Sequence, residues 1–247
     1  MSFIRTFLVA ILFLNLSLVN ASTPIKNVPC QAYSLKTTAV TWWRDSAERK
    51  AIYREVFLIA QQKIQKKVVS EKLQPRTWGV IVDIDETILD NSEWNKANIH
   101  GHCYDWDDYA AKKFARAIPG AKTFLQSIHQ LGGNVNLVTN RSERLRQVTE
   151  KNLHEEGLYF DQILLKPNEH QAWYSDKNQR FNAVITGSKP SQLKAQHIVA
   201  WMGDNIQDFP RLKQTQVNQL NGNNKVYDEF GEMFFIIPNP MYGSWES

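Results

Sequence analysis

The chain has 247 residues, of which 43% are hydrophobic and 22% are charged, an ordinary balance for a globular protein. It contains no low-complexity tract and no repeat of fixed period, which excludes a disordered chain and a solenoid. The formal net charge of +4 is small and spread along the chain, so it does not predict binding to a nucleic-acid polymer.

The first 21 residues have the composition of an export signal. Arg5 is their only charged residue, an apolar run extends over residues 7–19, and Ala21 offers a small residue where a signal peptidase cuts. The apolar run is shorter than the roughly 20 residues that span a bilayer. We therefore expect cleavage near Ala21 and a periplasmic or secreted protein without a stable membrane anchor.

Two cysteines, Cys30 and Cys103, remain after the predicted cleavage. An oxidising compartment would permit them to form a disulfide, and two separate thiols are equally compatible with the sequence.

Residues 22–78 are predicted to form an N-terminal arm and a long helix. Two prolines and the absence of a helical period predict an extended arm over residues 22–40. From Trp42 to about Glu71 the chain has no glycine or proline, and its apolar residues recur at helical spacing. This pattern predicts one amphipathic helix outside the main sheet.

Residues 79–247 are predicted to form the main domain. Short apolar segments that predict buried strands recur along it: 78–82, 135–138, 162–165, 198–202 and 234–237. Helices are predicted between them, one from Pro119 to Gly132 and one from Ser142 to Gly157. This alternation predicts an α/β fold, a Rossmann-like parallel sheet with helices on both faces and ligands at the carboxyl ends of its strands.

Polar residues follow the predicted strands in a distinctive order. Asp83-Ile84-Asp85-Glu86-Thr87 follows the first strand, and Thr139-Asn140-Arg141 follows the second. Lys177 lies on the helix after the third strand, and Gly203-Asp204, with Asp208 beyond it, follows the fourth. In this order and topology the segments resemble the four signature motifs of the haloacid dehalogenase superfamily.

The spacing of the first two aspartates suits phosphate-ester chemistry. Asp83 and Asp85 are two residues apart, so in an extended segment both carboxylates leave the same side of the chain. Asp83 could attack phosphorus to form an aspartyl-phosphate, while Asp85 protonates the leaving oxygen and later takes a proton from water. Carboxylates repel a phosphate dianion, so the site needs positive charge, which Mg²⁺ and a lysine would supply.

The resemblance implies further roles at the phosphate site. Asp83, Asp204 and the backbone carbonyl of Asp85 would bind Mg²⁺, and Asp208 would support the metal. Thr139 would donate a hydrogen bond to a phosphate oxygen.

The same resemblance places Lys177 beside the nucleophile, where it would neutralise charge. Lys166 and Lys189 remain alternatives for the phosphate-site lysine, because they lie in the same stretch of chain.

A narrower resemblance covers about residues 38–246. The segments 85–92, 203–209 and Pro238–Glu246 are similar to those of the class C nonspecific acid phosphatases. This resemblance implies an exported enzyme, often a homodimer, that hydrolyses small phosphomonoesters such as 5′-mononucleotides and aryl phosphates. It also implies a small helical cap at about residues 93–118.

Three residues are assigned to substrate binding. Trp106 and Tyr242 could stack on a nucleobase or phenyl ring, and Asn140 follows the predicted phosphate-binding Thr139. A phosphotransferase would share all these residues, and a non-catalytic surface protein that keeps the fold to bind nucleotide or a partner is a further alternative.

Overall fold

The computed structural model describes residues 24–27, 37–99, 104–168 and 175–246. The predicted signal sequence, Cys30 and Cys103 lie outside these ranges. The strands are β1 (Trp78–Val82), β2 (Leu89–Asp90), β3 (Arg116–Ala117), β4 (Asn134–Ser142), β5 (Gln162–Lys166), β6 (His197–Gly203) and β7 (Phe234–Ile236). The helices are α1 (Thr37–Asp45), α2 (Ala47–Ser70), α3 (Ser92–Ile99), α4 (Trp106–Lys112), α5 (Ala121–Gln130), α6 (Arg146–Glu155), α7 (Asn178–Thr186) and α8 (Gln214–Val217).

A five-stranded parallel sheet in the order β5-β4-β1-β6-β7 forms the centre of the molecule. All five residues of β1 are buried, because this central strand has a neighbour on each side and is covered on both faces. Alternate residues of β1 serve different faces: Val80 and Val82 belong to a core that includes α2 and α5, while Ile81 packs in a second core with α7. The predicted α/β class and parallel sheet are confirmed.

The N-terminal helical region differs from the prediction. The expected single helix is divided at Ser46 into α1 and α2, and residues 37–40, assigned to the extended arm, belong to α1. Ser46 has extended backbone angles, and its hydroxyl accepts a hydrogen bond of 3.1 Å from the backbone N–H of Arg49. Serine is a favourable helix N-cap because its oxygen satisfies an N–H that lacks a partner in the first turn, and here this local bond begins a new helix.

One half-buried carboxylate ties the N-terminal helices to the main domain. Asp90 in β2 accepts hydrogen bonds from Trp43 Nε1 at 3.0 Å and from Arg49 Nη2 at 2.7 Å. Arg49 also donates to the backbone carbonyl of Trp43. The ends of α1 and α2 are therefore joined to the strand that follows the Asp83 loop.

Other local predictions need smaller corrections. Ser142 caps a 3-10 turn over residues 143–145, and only then does α6 begin. The helix expected to open at Pro119 starts at Ala121, after Gly120 in a left-handed conformation with φ of 98°. A methyl group on Gly120 would lie 2.9 Å from the ring of Phe57, so this position combines a turn with a close helix contact.

The helices α3 and α4 lie between β2 and β3, which pair in an antiparallel arrangement. This is the segment for which the sequence predicts a cap, and its role as a cap stays a prediction. None of the helices in the described ranges is both long and apolar enough to span a bilayer.

Candidate active site

Three aspartates meet at the carboxyl ends of β1 and β6. Asp83, Asp204 and Asp208 each place a carboxylate oxygen within 4.8 Å of the others. The two strands are joined at this point, since the backbone N–H of Asp83 donates to the carbonyl of Met202 at 2.9 Å. The parallel pairing of β1 with β6 thus brings together acids that are more than a hundred residues apart in sequence.

Asp208 reaches this cluster through a short turn after β6. Its Oδ2 atom accepts a hydrogen bond of 2.9 Å from the backbone N–H of Asn205, and the Asn205 side chain accepts one from Gln207 N–H at 3.0 Å. A methyl group on Gly203 would overlap the Asp208 side chain. The glycine at this position therefore leaves room for the acid to fold back towards β1.

A buried lysine joins two of the three acids. Lys177 precedes α7, and its Nζ atom donates to Asp83 Oδ1 and, at 2.6 Å, to Asp208 Oδ1. Neither of the alternatives, Lys166 and Lys189, forms an ion pair with a described residue. Lys177 is thus the lysine that reaches the acidic cluster, and its part in catalysis stays a prediction.

The cluster holds more negative charge than Lys177 neutralises. Burial, followed by the nearby Asp208 and Asp85, raises the pKa of Asp83 to about 7, against the opposing effect of Lys177. Burial and the neighbouring acids also raise the pKa of Asp204 well above its usual range. Burial disfavours the charged form of Lys177, but Asp208 and Asp83 outweigh this effect and raise its pKa.

These charges fit a divalent cation. Three ionised carboxylates beside one ammonium group would leave an excess of two negative charges, and hard carboxylate oxygens are the ligands that Mg²⁺ and similar ions prefer. Thr87 supports the arrangement from the same loop: its hydroxyl lies 3.3 Å from Asp83 Oδ2 and 3.4 Å from Asp204 Oδ1.

Asp85 has a different set of partners from Asp83. Arg141 contacts the Asp85 carboxylate with Nε at 2.9 and 3.2 Å and with Nη2 at 2.7 Å. Asn91 donates to the same carboxylate from Nδ2 at 2.8 Å. The structure therefore holds Asp85 from the β4 side of the site, apart from the group of acids that contacts Lys177.

Thr139 and Asn140 lie near the end of β4, beside α7. The hydroxyl of the fully buried Thr139 accepts a hydrogen bond of 3.1 Å from the backbone N–H of Arg141. Arg180 of α7 donates to the Thr139 carbonyl and, at 2.6 Å, to Asn140 Oδ1, while Asn140 Nδ2 donates to the Ser175 carbonyl at 3.0 Å. The Asn140 amide thus joins β4 to the start of α7, and its predicted contact with substrate is untested.

The two aromatic candidates contact different residues around the site. The Trp106 ring is 5.3 Å from that of Trp94, between centroids, and 5.9 Å from the Arg141 guanidinium. The Tyr242 hydroxyl donates to Oε2 of the fully buried Glu86. Burial, with Asp85 and Asp204 nearby, raises the pKa of Glu86 well above its usual range. Stacking of either ring on substrate stays a prediction.

Sequence reasoning assigned no role to several residues that support the site. Arg141 and Glu86 are part of the motifs that follow β4 and β1, but the spacing of these motifs does not predict their hydrogen-bond partners, Asp85 and Tyr242. Asn239 donates from Nδ2 to Asp204 Oδ2 at 2.8 Å. Its loop lies 35 residues further along the chain, so hydrophobic periodicity gives no signal for the contact.

Comparisons with known proteins identify the family of this chain. The family model described as HAD superfamily, subfamily IIIB (Acid phosphatase), matches residues 14–245. Acid phosphatase 1 of Solanum lycopersicum is 28% identical over 169 residues, which are 66% of this chain and 57% of that protein. The chain therefore spans little more than half the length of this curated relative.

Two solved structures from Bacillus anthracis are also similar. The class C acid phosphatase of that organism is 30% identical, with a TM-score of 0.71 and 85% of each chain covered. The same enzyme with tungstate bound is 29% identical, with a TM-score of 0.72 and the same coverage. The resemblance drawn from the motifs is confirmed, and this chain belongs to subfamily IIIB of the HAD superfamily, the acid phosphatase subfamily.

Proposed function

We propose that this chain is an acid phosphatase that hydrolyses small phosphomonoesters with Mg²⁺, through an aspartyl-phosphate on Asp83. The observation that carries the proposal is the position of the Asp83 carboxylate, which lies within 4.8 Å of ligand oxygens from Asp204 and Asp208 and accepts a hydrogen bond from Lys177. A nucleophile, an acidic metal-binding set and a cation thus lie together at the end of β1.

The first half of the reaction needs a carboxylate and a proton donor. An oxygen of Asp83 attacks phosphorus, the bond from phosphorus to the ester oxygen breaks, and Asp85 gives its proton to the departing alkoxide. Lys177 stabilises negative charge on Asp83 and the phosphoryl oxygens. The Thr139 hydroxyl donates a hydrogen bond to one of those oxygens. Mg²⁺ bound by Asp83, Asp204 and the Asp85 carbonyl would supply the remaining positive charge.

The second half returns the enzyme to its starting state. Asp85, now ionised, takes a proton from water as the water oxygen attacks phosphorus, and the bond between phosphorus and Asp83 breaks. Inorganic phosphate leaves, and Asp85 again carries the proton. Three of the four contacts that Arg141 and Asn91 make with Asp85 are to Oδ1, which leaves Oδ2, with a single contact of 3.2 Å, to carry the transferred proton.

Features of the site and of its relatives support the proposed substrate class. Tungstate, bound by the similar Bacillus anthracis enzyme, is a tetrahedral oxyanion like phosphate, which supports a phosphate-sized site here. The rings of Trp106 and Tyr242 favour substrates with a nucleobase or phenyl group, such as 5′-mononucleotides and aryl phosphates. Export rests on the composition of residues 1–21, and a homodimer rests on the resemblance to class C enzymes.

A phosphate-release assay tests the proposal. The purified mature chain should hydrolyse p-nitrophenyl phosphate and AMP at pH 5 to 7, lose activity in EDTA, and regain it with Mg²⁺. Asp83→Asn should abolish turnover. The control Asp228→Asn, which replaces an exposed aspartate distant from Asp83 in sequence, should retain it. Full activity of Asp83→Asn, or hydrolysis that is indifferent to EDTA, would overturn the proposed mechanism.

A further inference from the structure

The C-terminal segment, residues 237–246, crosses the loops that carry the acids. The backbone N–H of Ile237 donates to the carbonyl of Gly203 at 2.8 Å, directly before Asp204. Beyond it, three side chains reach back to these loops: Asn239 to Asp204, Tyr242 to Glu86, and Ser244 to Asn205 at 2.8 Å. The segment is thus fixed to the site at several points.

Asn239 is held with its amide group in a single orientation. Its Oδ1 atom accepts a hydrogen bond of 3.0 Å from the backbone N–H of Met241, which requires the oxygen to lie on that side. The Nδ2 group must then face Asp204, whose carboxylate requires a donor. The Asn239 side chain is buried, which limits competition from solvent for this bond.

The two carboxylate oxygens of Asp204 have different partners. Oδ2 receives the Asn239 hydrogen bond, whereas Oδ1 lies beside the Thr87 hydroxyl, which also contacts Asp83. Without Asn239, the Asp204 carboxylate would lose a buried donor and could rotate away from Asp83. A donor to one oxygen therefore keeps the other directed towards the acidic cluster.

We propose that Asn239 is a positioning residue for the divalent cation, acting through Asp204. This inference rests on the proposed metal-dependent function and assigns to the C-terminal segment a part in holding the ion. Hydrogen-bond partners of metal-ligating carboxylates fix their orientation, and removing such a partner typically weakens metal affinity about 10- to 100-fold. Asn239 should therefore control how tightly the ion binds, with little effect on the reaction once it is bound.

The test is calorimetric titration of Mg²⁺ into the metal-free mature chain, with turnover measured as a function of Mg²⁺ concentration. Asn239→Leu keeps the branching and the number of non-hydrogen atoms of the side chain but cannot donate, and Asn239→Ala is a second variant in case the bulkier leucine prevents folding. Ser244→Ala is the matched control, because Ser244 lies in the same segment and its hydroxyl, among the described residues, bonds to Asn205 and Gln214 and to none of the acids. Thermal unfolding in EDTA reports the stability of each fold separately.

We expect Asn239→Leu or Asn239→Ala to raise the Mg²⁺ dissociation constant about 10- to 100-fold, with kcat returning close to the wild-type value at saturating Mg²⁺. Ser244→Ala should bind Mg²⁺ as the wild type does. Wild-type affinity in a folded Asn239 variant, or a kcat that excess Mg²⁺ does not restore, would overturn the inference and leave the proposed function standing. Absence of Mg²⁺ binding by the wild type would overturn both.

Discussion

Arg141 holds the carboxylate of Asp85 from one side, with its Nε and Nη2 atoms between 2.7 and 3.2 Å from the acid's oxygens. The Arg141 side chain is 3% exposed, so this ion pair is shielded from water on the arginine side. The guanidinium also donates to Asn91 and Thr149, which leaves it little freedom to move. The residue proposed as the proton donor is thus oriented by a fixed partner.

Replacing Arg141 should therefore impair the step that depends on Asp85. We expect Arg141→Met to lower kcat for an alkyl phosphate at least about tenfold more than for p-nitrophenyl phosphate, because a poor leaving group needs the proton more. The ratio of the two kcat values, measured at saturating Mg²⁺, checks this. An equal loss for both substrates would show that Arg141 does not act through the proton donor.

Lys177 offers a separate test of the acidic cluster. Lys177→Met would leave Asp83 and Asp208 buried beside each other without their shared cation. Removing one partner of a buried ion pair should lower the free energy of unfolding by about 3 kcal/mol at pH 7 in EDTA. Urea unfolding measures this change, with Lys189→Met as the control, because Lys189 is exposed. Equal stability of the two variants would contradict the assignment of Lys177.

Metal-free protein should show an unusual dependence of stability on pH. Burial raises the pKa of Asp83 from an ordinary 3.8 to about 7, so between these values the folded state keeps a proton that the unfolded state has lost. The free energy of unfolding should then fall as pH rises from 4 to 7, by about 2 to 4 kcal/mol from this group. Urea unfolding in EDTA at several pH values should show a flatter profile for Asp83→Asn. Identical profiles would refute the effect.

A substitution of Asp90 tests how the N-terminal helices α1 and α2 are attached to the main domain. Burial opposes its charge, but hydrogen bonds from Ser92 and the charge of Arg49 outweigh burial and lower its pKa. Its contribution to stability is therefore present above the ordinary value of 3.8 and is lost as pH falls through the lower folded-state value. Asp90→Asn should cost about 2 to 3 kcal/mol at pH 7, and this cost should shrink as pH falls below 3.8. A constant difference between wild type and variant would contradict this explanation.

The sequence was sufficient to predict the parallel sheet because each of its strands is a short apolar run. The ends of β1 and β6 could also be predicted as the place where acids meet, since parallel strands direct their carboxyl ends to one edge. The break at Ser46 was missed because no glycine or proline marks it, and a single serine hydroxyl decides where the new helix begins.

The partners of the site residues were harder to predict. Arg141 was visible beside Thr139, but only the folded chain shows that it contacts Asp85 across 56 residues of sequence. The contacts of Asn239 and Tyr242 depend on where the C-terminal segment crosses the sheet edge, and its loop has no periodic pattern. Such contacts are set by the packing of irregular segments, on which local sequence preferences carry little information.

Trapping of the phosphorylated enzyme tests the central claim most directly. Wild-type protein mixed with p-nitrophenyl phosphate and Mg²⁺ is quenched in acid and treated with borohydride, which reduces an aspartyl-phosphate to homoserine, and the peptide containing Asp83 is then sequenced by mass spectrometry. We predict homoserine at position 83 in the wild type and none in Asp83→Asn. Turnover by the wild type with an unmodified Asp83, or with homoserine at Asp85 or Asp204 instead, would contradict the proposed nucleophile.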